Sequence, residues 1–387
     1  MIAGSEPELS QKEIERYSRQ LSLPAIGMEG QRRLKRARVL VVGAGGLGSP
    51  SLLYLASAGV GTIGIVDFDP VDVTNLHRQI LYTEADVGGS KTRAAAARVE
   101  AANPHVNVEV HETRLTSANA LEIVAGYDII VDGTDNFATR YLVNDTAVLL
   151  GKINVYASVL RFEGQASVFG APGGPCYRCL FRDPPPAGLI PSCAEAGVLG
   201  VLPGIMGSIQ ASETIKVITG AGAPLVGRLL LFDALSMKFR TMEVRRDPDC
   251  PMCGTREIRE LVDYDAWCGS TAAPRPSEGG SGVGEITPVA LAERIARGDD
   301  ILLLDVREPF EWEIARLPGA MHIPLGALPG QLQMLNPDRE TVVYCKSGMR
   351  SLAAATQLAA AGFASVANLT GGIVRWSADV DSSIPRY

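Results

Sequence analysis

The sequence predicts an α/β protein with two domains, a Rossmann-like doubly wound domain followed by a smaller α/β domain. Apolar runs of strand length alternate with Ala- and Leu-rich helical runs up to residue 157, and a second alternation starts at Glu285. Between them, residues 269–284 (GSTAAPRPSEGGSGVG) have the composition of a flexible linker. We therefore predict domains at residues 1–268 and 285–387, joined by the linker 269–284.

The individual elements follow from the apolar periodicity. Parallel strands of the first domain are predicted at 39–42, 62–66, 106–110, 128–131 and 153–156, with helices at 91–102, 118–125 and 138–150. Later runs favour antiparallel strands at 164–169, 228–232 and 239–244, with a helix at 203–219. In the second domain we predict strands at 301–304 and 341–344 and a helix at 351–361.

The first domain is organised around residues 38–69. A strand ends in the G-x-G-x-x-G run from Gly43 to Gly48, a helix follows to about Ala58, and the next strand ends in Asp67. Glycines let the backbone approach phosphate, the helix start offers free N–H groups, and a carboxylate after the second strand suits ribose hydroxyls. This order predicts a nucleotide site. The motif alone does not separate NAD from ATP, and a glycine-tolerant packing turn is the alternative.

Several charged residues near this motif favour a triphosphate. Arg78 and Lys91 follow the Asp67 strand and could reach phosphates, and Asp135 could hold Mg²⁺ on them. Arg19 is a further cation, placed well before the glycine loop. Each of these residues alone would be read as a surface charge. An NAD(P)-dependent oxidoreductase with a fused sulfur-handling domain is the alternative function, and hydride transfer needs no such set of cations.

Two C-x-x-C pairs predict a metal site. Cys176 and Cys179 form the first pair, and Cys250 and Cys253 form the second. Four thiolates at such spacing are typical of a tetrahedral zinc ion with no open position, and therefore of a structural zinc. An iron–sulfur cluster and two chance pairs of ordinary thiols are the alternatives.

Cys345 is the clearest candidate nucleophile. It ends a predicted strand and opens Cys345-Lys346-Ser347-Gly348-Met349-Arg350, which leads into a helix. Loop N–H groups, the helix start and Arg350 would stabilise an anion at the sulfur. Only four residues separate Cys345 from Arg350, which favours a persulfide over the phosphate of a phosphatase. Cys193, beside a Pro-rich loop, is either an exposed nucleophile or a small buried hydrophobe.

Composition limits the partners and the location of the protein. The formal net charge of −7 argues against nucleic acid as a main partner. We see no apolar run long enough to span a membrane and no apolar signal core at the N-terminus. Seven cysteines in 387 residues do not form a disulfide framework, so we expect a reducing cytoplasm.

The ordered motifs of the chain are similar to those of two known families. The stretches RYSRQ (16–20), GAGGLG (43–48), VDFD (66–69), TNLHRQ (74–79) and GTDN (133–136), with the two C-x-x-C pairs, resemble the MoeB/ThiF branch of the ubiquitin-activating-enzyme superfamily. LLLDVRE (302–308), CKSGMR (345–350) and GGIVRW (371–376) resemble a rhodanese domain. The fusion resembles the MoeZ-type and molybdopterin-synthase sulfurylase family.

The resemblance implies roles for individual residues. It implies that ATP and Mg²⁺ are held by a set from the glycine loop and the following strands and loops: Gly43, Gly45, Gly46, Asp67, Asp69, Thr74, Asn75, Leu76, His77, Arg78, Lys91, Asp135 and Asn136. It further implies that Arg19 reaches the γ-phosphate in a partner subunit, so that the enzyme is a homodimer. Cys193 matches a cysteine that some relatives link covalently to a carrier protein.

The resemblance also implies the reaction. ATP would adenylate the C-terminal glycine of a small ubiquitin-like sulfur-carrier protein ending in Gly-Gly, of the MoaD, ThiS or CysO type. A persulfide on Cys345, formed from thiosulfate or by a cysteine desulfurase, would then give the carrier thiocarboxylate. Such carriers serve molybdenum cofactor and thiamine biosynthesis, among other pathways. A non-catalytic scaffold that binds carriers is a third hypothesis.

Overall fold

The computed structural model describes residues 7–185, 197–268 and 283–385. These residues divide into two compact units, one on each side of residues 269–282, and each unit has its own hydrophobic core. Both units are α/β, as the sequence predicts. Within the described residues, no helix is both long and apolar enough to cross a membrane.

The first unit contains an eight-stranded mixed sheet. Its strands are β1 (Arg38–Val42), β2 (Thr62–Asp67), β3 (Asn107–Glu112), β4 (Ile129–Asp132), β5 (Ile153–Leu160), β6 (Glu163–Phe169), β7 (Arg228–Asp233) and β8 (Lys238–Glu243). The spatial order is β3-β2-β1-β4-β5-β6-β7-β8. The pairs from β3 to β5 are parallel and those from β5 to β8 are antiparallel, as the change of pattern at Gly164 predicts.

Helices cover both faces of the parallel part of this sheet. The helices of the first unit are Gln11–Arg16, Ser18–Leu21, Gly27–Arg36, Gly48–Ala58, Lys91–Ala102, Ala120–Ala125, Phe137–Leu149, Tyr177–Leu180, Val201–Thr219 and Tyr264–Trp267. The strands β1 and β4 are almost wholly buried, because helices pack on both of their faces. Ser10 caps the first helix and forms a capping box with Glu13.

The second unit contains a five-stranded parallel sheet. Its strands are β9 (Val283–Ile286), β10 (Leu302–Asp305), β11 (Met321–His322), β12 (Thr341–Tyr344) and β13 (Val366–Leu369), in the spatial order β11-β10-β12-β13-β9. Its helices are Pro288–Ala296, Pro309–Ile314, Leu328–Gln331, Met349–Ala360 and Gly372–Asp379.

Element boundaries differ from the predictions where a distant partner extends a strand. β5 continues four residues beyond the predicted end at Tyr156, because its last residues form a hairpin with β6. β9 begins at Val283, inside the predicted linker, because Val283 pairs with Val366. Apolar periodicity carries no information about such pairings, so the domain boundaries at 268 and 285 remain predictions apart from this early start of β9.

A buried ion pair fixes the last helix before the predicted linker. Asp145 is fully buried and accepts hydrogen bonds from Arg178 Nη2 and from the Tyr264 hydroxyl, each at 2.7 Å. The Arg178 guanidinium carbon lies 4.8 Å from the ring centroid of Tyr141 and 4.5 Å from that of Trp267. Arg178 lies between Cys176 and Cys179. The Asp145–Arg178 ion pair therefore links the first C-x-x-C segment to the end of the first unit.

We expect Asp145→Ala to destabilise the first unit strongly. The substitution leaves the buried Arg178 cation without its carboxylate, which costs about 3–5 kcal/mol of unfolding free energy. Asp265→Ala is the matched control, because its partner Arg114 is half exposed and such pairs contribute about 1 kcal/mol or less. Denaturant unfolding of both variants measures the difference, and equal losses would contradict the importance of the buried pair.

Candidate functional site

A cleft lies at the carboxyl ends of β1, β2 and β4, where parallel sheets of this kind bind ligands. Most of the residues predicted to bind nucleotide line it: Gly43, Gly45, Gly46, Asp67, Asp69, Arg78, Lys91, Asp135 and Asn136. The sequence therefore places these residues around a common space. Their contacts with nucleotide remain a prediction.

Gly43 brings two walls of the cleft together. Its φ of +90° lies in the left-handed region, and a Cβ at this position would lie 2.9 Å from the carbonyl oxygen of Gly133. A side chain would therefore push the glycine loop away from the loop that carries Asp135. The following helix begins at Gly48, and Gly45, Gly46 and Leu47 just before it line the cleft.

Asp67 holds the glycine loop in place. One carboxylate oxygen accepts a hydrogen bond from the backbone N–H of Ala44, and the other accepts one from the N–H of Asp69, both at 2.9 Å. The carboxylate is thus oriented by two backbone donors at the tip of β2. Its remaining lone pairs can accept hydrogen bonds from a ribose.

Lys91 places a buried ammonium at the cleft. Its side chain is 6% exposed and lies at the start of the helix Lys91–Ala102, with Nζ 3.0 Å from an oxygen of Asp69. Asp69 is half exposed, so its carboxylate is the part of this ion pair that faces the cleft. A phosphate entering the cleft can take the place of this carboxylate beside Nζ of Lys91, or bind Nζ together with it.

Arg78 is fixed by the segment that precedes it. Its guanidinium donates to the carbonyl of Thr74 at 3.1 Å and to the side-chain oxygen of Asn75 at 2.7 Å. Thr74 in turn donates its hydroxyl and its N–H to Asp72, and these hydrogen bonds hold the pKa of the Asp72 carboxyl below its usual range. These hydrogen bonds therefore fix the orientation of the Arg78 guanidinium in the cleft wall.

The structure gives Arg78 a different position from the other predicted binding residues of the segment 74–78. Among the described residues of the segment 74–78, Arg78 lines the cleft, while Thr74, Asn75, Leu76 and His77 do not. Thr74 and Asn75 support the guanidinium, and Nδ1 of His77 lies 2.9 Å from the Thr74 carbonyl oxygen. Direct contact of these four residues with nucleotide remains a prediction.

The loop after β4 supplies a free carboxylate and a helix cap. Asp135 is exposed to the cleft, and the side-chain oxygen of Asn136 caps the helix Phe137–Leu149 by accepting from the N–H of Thr139 at 2.9 Å. Asp132 is buried beneath them and accepts two hydrogen bonds from Thr134, while burial raises the pKa of its carboxyl. Asp132 thus stabilises the loop, and Asp135 is the carboxylate that can hold a cation on phosphates.

The four cysteines of the two C-x-x-C pairs meet in one cluster. Their sulfur atoms all lie within 4.8 Å of one another, with Sγ–Sγ distances of 3.6 Å (Cys176–Cys250), 3.9 Å (Cys176–Cys179) and 3.3 Å (Cys179–Cys253). A zinc ion with Zn–S bonds of about 2.3 Å requires tetrahedral edges of about 3.8 Å. The cluster therefore fits one tetrahedral ion better than an iron–sulfur cluster, which separates its cysteines by several atoms.

Cys345 lies in a closed cradle at the end of β12. It is fully buried, and its Sγ accepts a hydrogen bond from the N–H of Gly348 at 3.1 Å. The Ser351 hydroxyl oxygen lies 3.3 Å from the same sulfur. Gly348 has φ +105° and precedes the helix Met349–Ala360, so the helix start is directed at the sulfur. The sulfur therefore has a backbone N–H and a hydroxyl within hydrogen-bond distance.

Arg350 makes a contact that the sequence does not predict. Its guanidinium forms a bidentate ion pair with the buried carboxylate of Glu311, at 2.6 and 2.8 Å. Burial alone would raise the pKa of Glu311, but the hydrogen bonds from Arg350 and from the Glu308 N–H outweigh it and lower the pKa. The positive charge of Arg350 is thus shared with a carboxylate, and its predicted action on a sulfur anion remains a prediction.

Comparison with known proteins identifies the domain family of each unit. The ThiF family model matches residues 17–252, and the rhodanese-like domain model matches residues 287–379. The chain belongs to the ThiF family. This ThiF protein is 50% identical over 387 residues to the probable adenylyltransferase/sulfurtransferase MoeZ of Mycobacterium tuberculosis, across 98% of this chain and 96% of the relative.

Two further relatives support the ThiF part. The sulfur carrier protein adenylyltransferase of Thermus thermophilus is 58% identical over 266 residues, which cover 67% of this chain and 98% of that protein. The crystal structure of Escherichia coli MccB has a TM-score of 0.57 at 24% identity, covers 66% of this chain and 75% of its own, and supports the fold alone. The predictions of the family and of an enzyme with adenylyltransferase and sulfurtransferase domains are confirmed.

One predicted catalytic residue of this ThiF protein lies outside the cleft, and another lies outside the described residues. Arg19 is exposed on the short helix Ser18–Leu21 and is absent from the described lining of the cleft. Its predicted action on the ATP of a partner subunit remains a prediction. Cys193 lies outside the described residues, so its predicted link to a carrier also remains a prediction.

Gln79, Phe68 and Arg114 are among the residues of the ThiF cleft that lie outside the predicted set. Gln79 is buried in its wall, and its side-chain oxygen has no hydrogen-bond partner among the described residues. Phe68 and Arg114 also line the cleft, with the guanidinium carbon 5.7 Å from the ring centroid. Gln79 and Phe68 lie inside the motifs TNLHRQ and VDFD, which could have signalled them. Arg114 follows β3 without any motif.

We expect Cys250→Ser to remove a bound zinc from this ThiF protein. The variant loses one of four thiolates, and elemental analysis of the purified protein should fall from about one zinc per chain to well below one. Cys268→Ser is the matched control, because Cys268 lies outside the cluster and should leave the zinc content unchanged. Wild-type protein without zinc, or with iron and labile sulfide, would contradict the zinc prediction.

Proposed function

We propose that this protein adenylates the C-terminal glycine of small ubiquitin-like sulfur-carrier proteins and then converts it to a thiocarboxylate. The observation that carries the proposal is the presence in one chain of a cleft lined by Arg78, Lys91 and Asp135 and a cysteine cradled at a helix start. One relative is named a probable adenylyltransferase/sulfurtransferase, and another is named a sulfur carrier protein adenylyltransferase.

The cleft supports the first half-reaction. The carrier carboxylate attacks the α-phosphate of ATP, forms an acyl-adenylate and expels pyrophosphate. Lys91 and Arg78 neutralise the phosphate charge, and Asp135 holds Mg²⁺ against the phosphates. Catalysis of this kind consists mainly of positioning and electrostatic stabilisation, which the fixed guanidinium of Arg78 supplies.

An exposed apolar surface offers a docking place for the carrier. We call it the hairpin surface and define it by Phe239 of β8 and Val201 at the start of the helix Val201–Thr219, which line one groove, with Leu235 and Met237 exposed in the β7–β8 turn. β8 is an edge strand. Val198 and Pro203, which flank Val201 in the chain, line the cleft, so a tail leaving this surface has a short path to ATP.

The sulfur half-reaction balances without an added oxidant. The Cys345 thiolate attacks the outer sulfur of thiosulfate, an Sγ–S bond forms, and the electron pair of the broken S–S bond leaves with sulfite. The terminal persulfide sulfur then attacks the acyl-adenylate and expels AMP. The thiolate of a second cysteine, which we assign to Cys193, attacks Sγ, so that an S–S bond forms between the two cysteines and the carrier thiocarboxylate leaves with the electron pair of the broken bond. A dithiol reductant then returns this disulfide to two thiols for the next turnover. The predicted linker raises the local concentration of the persulfide.

The remaining parts of the proposal concern assembly and pathway. Arg19 acts on the γ-phosphate bound by the second subunit of a homodimer. The four-cysteine cluster holds a structural zinc, and no step of the reaction passes through it. We propose that the enzyme works in the cytoplasm with carriers of molybdenum cofactor or thiamine biosynthesis, with thiosulfate or a cysteine desulfurase as sulfur source.

The deciding experiment weighs the carrier by intact mass spectrometry after incubation with MgATP and thiosulfate. Replacement of one oxygen by sulfur is the expected result. A carrier that stays unchanged while AMP forms would place the failure at the sulfur donor or at Cys345. No AMP with any of several Gly-Gly carriers would contradict the adenylation.

We expect Cys345→Ala to stop thiocarboxylate formation and to leave adenylation intact. The variant lacks the sulfur acceptor, whereas the cleft lies in the other unit. Carrier-dependent pyrophosphate release should stay at the wild-type rate, and the thiocarboxylate made from thiosulfate should fall below detection. Thiocarboxylate formed at the normal rate would show that another group carries the sulfur.

We expect Asp135→Ala to abolish carrier-dependent pyrophosphate release. The variant removes the exposed carboxylate that would hold Mg²⁺, at a cost of about a hundredfold or more in rate. Glu122→Ala, an exposed carboxylate on the helix Ala120–Ala125 outside the cleft, is the control. Surviving release with Asp135→Ala would assign magnesium binding elsewhere.

A further inference from the structure

The Ser351 hydroxyl lies beside the candidate nucleophile and is fully buried there. It stands in the first turn of the helix Met349–Ala360, with Oγ 3.3 Å from Sγ of Cys345 and 3.1 Å from the carbonyl oxygen of Gly348. Both neighbours are therefore within hydrogen-bond reach of one oxygen atom.

One hydroxyl proton cannot serve both neighbours at once. When the hydroxyl donates to the Gly348 carbonyl, its lone pairs can accept the S–H proton of Cys345. When Cys345 is a thiolate, the sulfur has only lone pairs, and the hydroxyl gains most by rotating its proton to Sγ. The Gly348 carbonyl loses this bond, but it also accepts from the N–H of Leu352 at 3.0 Å and so remains satisfied.

We propose that Ser351 is a further catalytic residue of the sulfur-transfer site, whose hydroxyl donates to Sγ of Cys345 in each step that places negative charge on that sulfur. The proposal rests on the proposed role of Cys345 as the sulfur carrier. Together with the N–H of Gly348, the hydroxyl gives Sγ two neutral donors inside a closed cradle.

Sγ carries a full negative charge at one point of the reaction and is the electrophile at another. It is the thiolate that attacks the outer sulfur of thiosulfate, and the pair of electrons of the cleaved S–S bond then leaves with sulfite. In the persulfide, Sγ is bonded to the terminal sulfur, and the terminal sulfur carries the negative charge. In the last step a second thiolate attacks Sγ, and the thiocarboxylate leaves with the electron pair. A donor to Sγ lowers the energy of the thiolate and polarises the sulfur under attack.

A hydroxyl in a helix often bonds only to the backbone of the preceding turn, and that structural role is the alternative. The same helix contains a control for it, because the Thr356 hydroxyl donates to the Leu352 carbonyl at 2.9 Å and is exposed. The charged groups of the Cys345 loop and the neighbouring β10 end are Lys346, Arg350 with its partner Glu311, and the buried Asp305–Arg307 pair. All of them are unchanged in the variants below.

The test compares Ser351→Ala, Ser351→Thr and Thr356→Ala in the full chain. The first readout is the pH profile of iodoacetamide alkylation at Cys345, resolved from the other cysteines by peptide mass spectrometry. The second is the rate at which thiosulfate loads the persulfide, followed by sulfite release. We expect Ser351→Ala to shift the alkylation midpoint to higher pH and to slow loading about fivefold to tenfold at neutral pH.

The controls separate catalysis from folding. Thr356→Ala and the hydroxyl-keeping Ser351→Thr should both retain the wild-type pH profile, and thermal unfolding reports any general weakening of the helix. Ser351→Ala with an unchanged profile and loading rate would overturn the proposal, as would a Thr variant that behaves like the Ala variant. Persulfide loading that survives Cys345→Ala would instead overturn the proposed role of Cys345, so the two failures are distinguishable.

Discussion

The nucleotide cleft depends on the close approach of two backbone loops at the switch point between β1 and β4. A Cβ on Gly43 would lie 2.9 Å from the Gly133 carbonyl oxygen, and a Cβ on Gly133 would lie 2.9 Å from the Gly43 carbonyl oxygen. Neither loop can therefore carry a side chain at this contact without moving the other. Because β2 and β4 flank β1, this contact brings the carboxylates of Asp67 and Asp135 to the same cleft.

The second unit uses a similar constraint for a different ligand. The carbonyls of Cys345 and Lys346 accept hydrogen bonds from the N–H groups of Ile373 and Val374 at 2.9 and 3.2 Å. A Cβ on Gly372 would collide with the Cys345 carbonyl oxygen, so the helix Gly372–Asp379 packs directly on the loop backbone. The helix Gly372–Asp379 thus fixes the carbonyl groups of the Cys345 loop, while the N–H of Gly348 donates to the sulfur.

Much of both sites could be predicted because their parts are local in sequence. The glycine loop, Asp67 and the Cys345 loop each join a strand to the next element within a few residues, and strand ends meet at one edge of a parallel sheet. The helix Lys91–Ala102 has its predicted bounds because Ser90 and the Ala-rich run mark it locally. The sulfur atoms of the two C-x-x-C pairs lie in one cluster. This could be predicted because four sulfur ligands suit one ion.

The rest of the sites depends on contacts between segments that no spacing relates. Arg114 reaches the cleft from the end of β3, and Glu311 reaches Arg350 from another helix. The extension of β5 and the early start of β9 follow from pairing with β6 and β13. Such contacts are decided by tertiary packing, so a single sequence without its fold cannot reveal them.

The two sites hold negative charge in opposite ways, and this difference favours sulfur over phosphate at Cys345. The cleft presents Lys91 and Arg78 to a ligand with several charges. At Cys345 the nearby guanidinium of Arg350 is paired with Glu311, and the Gly348 N–H and the Ser351 hydroxyl that face the buried sulfur are neutral groups. A phosphorylated cysteine would bring about two negative charges and three further oxygens into that space. A persulfide adds one atom and one charge, which two neutral donors and a helix start can stabilise.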